Sequence, residues 1–162
     1  MALTSMQLPP ISAAAMTHPS VALVFDPQRD AGLDTAYGAD ARARMETAAA
    51  RAAREALRVD PSVQDAVYRF SFLYDRDADG LVNAETYRAV HARVMALLLP
   101  SFAEDERRES GLRDWVKVTH GHPRLDYSAL AAATFELADR WTVGVEADEM
   151  VTFLEVLRFR LR

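Results

Sequence analysis

Asp75-Arg76-Asp77-Ala78-Asp79-Gly80-Leu81-Val82-Asn83-Ala84-Glu85-Thr86 is the stretch on which the reading of this chain turns. Three carboxylates stand at alternate positions, and a glycine follows them. A hard divalent cation takes six to eight oxygen ligands, which a short loop wrapped around the ion can supply. Asp75, Asp77 and Asp79 offer side-chain oxygens at loop positions 1, 3 and 5. Gly80 falls at position 6, where the chain turns sharply and a Cβ would clash. Leu81 offers a backbone carbonyl at position 7, and Asn83 an oxygen at position 9, direct or through water. A helical pattern enters this stretch and another leaves it.

The D-x-D-x-D-G pattern resembles the EF-hand family. The resemblance implies a helix–loop–helix with Ca²⁺ at residues 75–86, held by Asp75, Asp77, Asp79, Leu81, Asn83 and Thr86. Position 12 departs from the family, since it is Thr86 in place of a glutamate giving two oxygens, and Glu85 sits one residue early. That exchange removes two of about seven oxygens and one negative charge. The expectation is weak Ca²⁺ capture, with Mg²⁺ occupancy or an empty loop kept for its shape as alternatives.

The flanks fit a first hand over about 61–99. Asp60 can cap a helix that Pro61 opens. Val63, Val67, Phe70 and Tyr74 then line one face of the entering helix. Tyr87, Val90, His91 and Val94 line the exiting one, extended by Leu97 and Leu98 and stopped by Pro100. His91 falls where the family places an apolar core residue and reads as a partly buried structural histidine.

Ser101 with Glu104 forms a capping box, which predicts a linker helix over about 101–118 starting near Phe102. Gly111 interrupts or divides it, and Leu112, Trp115 and Val116 are its apolar face. Thr119-His120-Gly121-His122-Pro123 is a turn. A degenerate second hand is expected over about 126–160. Asp126 caps a helix through Leu130, Thr134, Leu137 and Trp141. Gly144, Val145 and the acids before Met150 then echo Gly80, Val82 and Glu85. Met150, Phe153, Leu154 and Leu157 repeat the spacing of Tyr87, Val90, His91 and Val94. Trp141 and Val143 leave positions 3 and 5 of this loop without oxygen ligands, so it is expected to take no metal. Paired hands share a short antiparallel bridge at loop position 8, for which Val82 and Val145 are the candidates. In a competing register Leu125-Asp126-Tyr127 ends the second loop. The linker helix then enters that loop, and residues 139–160 form an extra helical turn-back. Either register gives an all-α fold, an EF-hand pair within a domain at 39–162, with an extra N-terminal helix.

Residues 1–38 read as an extended N-terminal arm. Prolines 9, 10, 19 and 27 prevent a long helix there. The apolar pieces Leu8, Ile11 and Val21–Phe25 are too short to fold alone. From Asp40 to Arg58 alanine dominates and predicts a helix. Arginines 42, 44, 51, 54 and 58 make it basic, either as a solvated face or as a surface for an acidic partner.

The chain has 162 residues, a net charge of −5, half its residues hydrophobic and no cysteine. The charge argues against nucleic acid as a partner. No disulfide frame or zinc–thiolate site can form. No run approaches the ~20 apolar residues that cross a bilayer, so no membrane is expected. The start lacks the marks of a secretory or mitochondrial leader, and the expectation is a cytoplasmic protein. No phosphate loop, nucleophile elbow or zinc helix motif occurs, which speaks against an enzyme. Two function classes remain. One is an adaptor or structural subunit that grips a partner polypeptide, with a helix in the hand groove and a larger assembly along the arm. The family resemblance implies a cytoskeletal or ciliary (axonemal) assembly. The other is a Ca²⁺ sensor of calmodulin type, which exposes an apolar groove lined by Met95, Met150, Phe153 and the tryptophans.

Overall fold

The computed structural model describes residues 47–142 and 144–162. The expected arm at 1–38, the first part of the helix expected from Asp40, and Val143 lie outside the described residues.

Capping residues set most of the helix starts. Thr47 caps α1 (Ala48–Ala56), its side chain accepting from the Ala50 N–H. Asp60 caps α2 (Pro61–Phe70), accepting from the N–H groups of Ser62 and Val63, with Pro61 pre-set for the first turn. Asn83 caps α3 (Ala84–Leu98) and Asp126 caps α5 (Tyr127–Trp141), each through a side-chain oxygen. Single 3₁₀ turns at Leu57–Val59 and Ser71–Leu73 follow α1 and α2.

α4 (Glu104–Thr119) differs from expectation. It starts after Ala103, and Ser101 takes no part in its cap. Glu106 instead accepts from the Ala103 N–H at 2.7 Å. Glu104, Asp105 and Glu106 load its first turn with negative charge, which suits the positive end of the helix dipole. The helix runs unbroken through Gly111. Its inner face is Gly111, Trp115, Val118 and Thr119, whereas Leu112 and Val116 are 44% and 63% exposed. Gly111 has a packing reason: a Cβ there would stand 3.4 Å from His91 Nδ1 on α3.

α6 (Ala147–Leu161) completes the described chain. It lies chiefly along α2 and also touches α5 and α3, while α3 and α4 form the other extensive helix pair. Phe70, Leu130, Met150, Phe153, Leu154 and Leu157 are among the side chains under 2% exposed at the centre. Each such burial is worth about 1.5–3 kcal/mol before entropy is counted. The helical stripes expected at Val63/Val67/Phe70/Tyr74 and at Met150/Phe153/Leu154/Leu157 are all buried.

A two-residue ladder joins the two loops. β1 (Val82–Asn83) runs antiparallel to β2 (Arg124–Leu125), with Val82 opposite Leu125 and Asn83 opposite Arg124. The bridge expected between Val82 and Val145 is therefore corrected to Val82–Leu125. Val82 and Leu125 are each 1% exposed, whereas Val145 is 38% exposed. A bridge across two loops survives only where both residues reach the core, and Val145 does not. The architecture is all-α apart from this ladder: α4 enters the second loop, α5 leaves it, and α6 folds back over α2.

Candidate functional site

The acidic loop between the Ser71–Leu73 turn and α3 is folded around Asp77. Its backbone N–H donates to the Leu81 carbonyl, and its own carbonyl accepts from the Gly80 N–H, both at 2.9 Å. Its Oδ1 accepts from the N–H groups of Asp79 at 3.0 Å and Leu81 at 2.9 Å. Gly80 holds φ at 78°, a left-handed conformation that favours glycine. The other oxygen, Oδ2, faces Arg124, whose Nη1 donates to it at 3.2 Å and to Asp79 Oδ2 at 2.6 Å. The Leu81 N–H, helped by Arg124 and the Asp79 N–H, holds the Asp77 carboxyl below the ordinary carboxylate range. The same two carboxylates, Asp79 first, push the Arg124 guanidinium above its ordinary value.

The six residues that the resemblance nominates are thus differently occupied. Asp77 and Asp79 come together on Arg124. Asp75 is exposed, Leu81 and Thr86 are half-buried, and the Asn83 side-chain oxygen caps α3 at the Thr86 N–H. Among the described residues no three His, Asp or Glu side chains stand close enough together to hold a metal ion. Tested against Ca²⁺, this oxygen set does not fit. Asp77 has both oxygens committed, Asn83 is a helix cap, and Thr86 replaces the two-oxygen ligand.

The second loop contributes no acid between Thr119 and Leu125. His120 and Gly121 take left-handed φ values of 51° and 84°. Arg124 is the side chain this loop sends to the first, and it was not singled out in the sequence. The signal was present: in the register ending at Leu125, Arg124 falls beside the bridge residue.

A cavity of about 70 Å³ lies between α3, α4 and α5. Within its wall, Tyr87 donates its hydroxyl to Asp114 Oδ2 at 2.6 Å, and His91 Nε2 lies 3.7 Å from the same oxygen. Burial pushes the His91 imidazole below its ordinary value, against the pull of Asp114. Burial, then Tyr74 and Asp114, push the Tyr87 hydroxyl far up, and burial does the same to Tyr74. These tyrosine rings stack at 5.8 Å. Thr134, the aliphatic hydroxyl in the lining, donates back to the Leu130 carbonyl. The cavity therefore sets a half-buried histidine and a half-buried acid between helices. His91 is half-buried, as the sequence reading expected.

The residues expected to wall a target groove are placed otherwise. Met150 and Phe153 are core residues at 0% and 1% exposure, and Trp141 is buried. Met95 and Trp115 are half-buried. The basic face expected around α1 is also partly consumed. Arg54 is 5% exposed, and Arg58 pairs with Glu55 and lies over the Phe135 ring at 4.3 Å.

One exposed cluster has the composition of a contact surface. Tyr68 meets Phe72 edge-on at 5.0 Å and Tyr127 at 6.0 Å, and Arg76 lies over the Tyr127 ring. Tyr68 and Phe72 are 48% and 62% exposed. Comparison of the chain with known protein families, with curated proteins and with solved structures gave no match.

Proposed function

We propose that this chain is a non-catalytic, EF-hand-like adaptor that binds a partner polypeptide and has lost its dependence on Ca²⁺. The observation that carries the reading is the position of α6. It covers α2 along its length and buries Met150 and Phe153, so the apolar face that a sensor would open to a target helix is covered by the chain itself. A sensor of calmodulin type would have to expel α6 and expose that core. The acidic loop supports the adaptor reading as well, because the missing glutamate at Thr86 is the ligand expected to couple an ion to helix movement.

The surface assigned to the partner is Tyr68, Phe72 and Tyr127 with Arg76. Tyrosine and arginine are the residue types that dominate binding hot spots. The cytoskeletal or ciliary setting rests on family analogy alone. The test is hydrogen exchange of the full chain with and without Ca²⁺, joined to co-purification of the parent and a Tyr68→Ala/Phe72→Ala variant. The adaptor reading expects α6 protection unchanged by Ca²⁺ and a partner lost only from the variant. Ca²⁺-dependent loss of protection in α6 would establish the sensor instead.

A further inference from the structure

We propose that Arg124 is the built-in cation of the acidic loop: it occupies the carboxylates that would otherwise face a divalent ion, and it excludes such ions while it is there. The proposal goes beyond the adaptor reading and does not depend on it.

Arg124 sits opposite Asn83 in the ladder, and its neighbour Leu125 is locked into the core at 1% exposure. The backbone pairing that joins the two loops therefore aims the guanidinium at the first loop. One nitrogen, Nη1, reaches Asp79 Oδ2 at 2.6 Å and Asp77 Oδ2 at 3.2 Å. A guanidinium stays charged at every physiological pH and suits carboxylates.

Both Asp77 oxygens are used, Oδ1 by backbone N–H groups and Oδ2 by Arg124. A divalent ion that displaced Arg124 would gain the shared Asp77 and Asp79 carboxylates, with exposed Asp75 the one further carboxylate of the set. It would still lack the two-oxygen ligand at Thr86, and the displaced positive charge would stay nearby, tethered by the ladder. A unit charge and a dication a few Å apart in water repel by an amount equal to roughly thirtyfold in affinity. The ion pairs themselves are solvent-exposed, with Arg124 at 46% and Asp79 at 67%. Exposed pairs add little to stability. The consequence of Arg124 therefore falls on ion affinity and hardly on folding.

Calorimetric titration with Ca²⁺ tests this on five full-length proteins: the parent, Arg124→Gln, Thr86→Glu, and Thr86→Glu combined with either Arg124→Gln or Arg124→Lys. Thr86→Glu restores the missing oxygens so that binding becomes measurable. Removing Arg124 in that background is expected to raise affinity about thirtyfold, and Arg124→Lys, which keeps the charge, is expected to raise it far less. Thermal melts should agree within a few degrees across the set, which keeps a folding defect from posing as a binding result. Equal affinity with and without Arg124, or no Ca²⁺ heat in any of the five, would overturn the proposal.

Discussion

Arg54 Nε on α1 donates to Asp139 Oδ1 on α5 at 2.7 Å, across 85 residues of sequence. The same guanidinium donates to the Asp139 carbonyl at 2.6 Å, to Thr142 Oγ1 at 3.0 Å, and to the Gly144 carbonyl. One buried side chain thus bonds a carbonyl in the last turn of α5 and another just beyond it, and it ties α1 to the turn that leads into α6. Gly144 completes the turn by donating its N–H to Glu149 at the start of α6.

Arg54→Ala should cost about 2–3 kcal/mol, because it strands the part-buried carbonyls of Asp139 and Gly144 and removes a partner from the buried Thr142 hydroxyl. The figure is below the full cost of breaking a buried pair, since Asp139 is 44% exposed. Arg54→Lys should not restore it, because a single ammonium cannot span the partners of a planar fork. Urea denaturation of the three proteins checks both statements.

Phe153→Ala should destabilise the domain by about 3–5 kcal/mol, the range for removing a large aromatic from a closed core. Phe153 is 1% exposed where α6 meets the core. If α6 were a loosely held lid, the loss in chemical denaturation would be far smaller.

Asp60→Ala should lower the melting temperature by roughly 3–6 °C at neutral pH, the usual effect of losing an N-cap in a domain of this size. The Ser62 hydroxyl, then the Val63 N–H, hold the Asp60 carboxyl below its ordinary 3.8. A depressed carboxyl stabilises the fold above the unfolded value, and that stabilisation is lost as pH falls through the folded value. The difference between parent and variant should therefore fade as the melts are taken well below pH 3.8.

His91 sets a second acid-sensitive step. Its folded-state value lies below the ordinary 6.5, so the unfolded chain takes up the proton first. Stability should be intact above pH 6.5 and fall as pH drops below it. Asp114, which faces the imidazole, limits the fall. Melts of the parent and of His91→Gln between pH 7.5 and 5 should diverge, with the parent losing more.

Helix existence and most buried faces were legible because period and caps agree. Asp60-Pro61 and Asp126 mark their helices directly, and the α2, α3 and α6 stripes follow 3.6-residue spacing. Of the α4 face only Trp115 was legible. Gly111 and Thr119 are its buried residues and the expected Trp115 is half-buried beside them, while Leu112 and Val116 face outward. The bridge went to Leu125 because pairing depends on which residue reaches the core, and the echo around Gly144 carried no such information. Of the acidic loop, its position between helices and its turn at Gly80 were legible. The partner of its carboxylates was not, since Arg124 belongs to no motif and reaches Asp79 only through a contact 45 residues away.

Pairing α2 with α6 also sets a schedule for synthesis. The apolar side of α2 leaves the ribosome well before its cover, and α3, α4 and α5 must be translated in between. At ordinary translation speed that wait is on the order of ten seconds. Throughout it, Val63, Val67 and Phe70 lack the helix that later shields them, so nascent chains paused before Ala147 should be the form that recruits holdase chaperones.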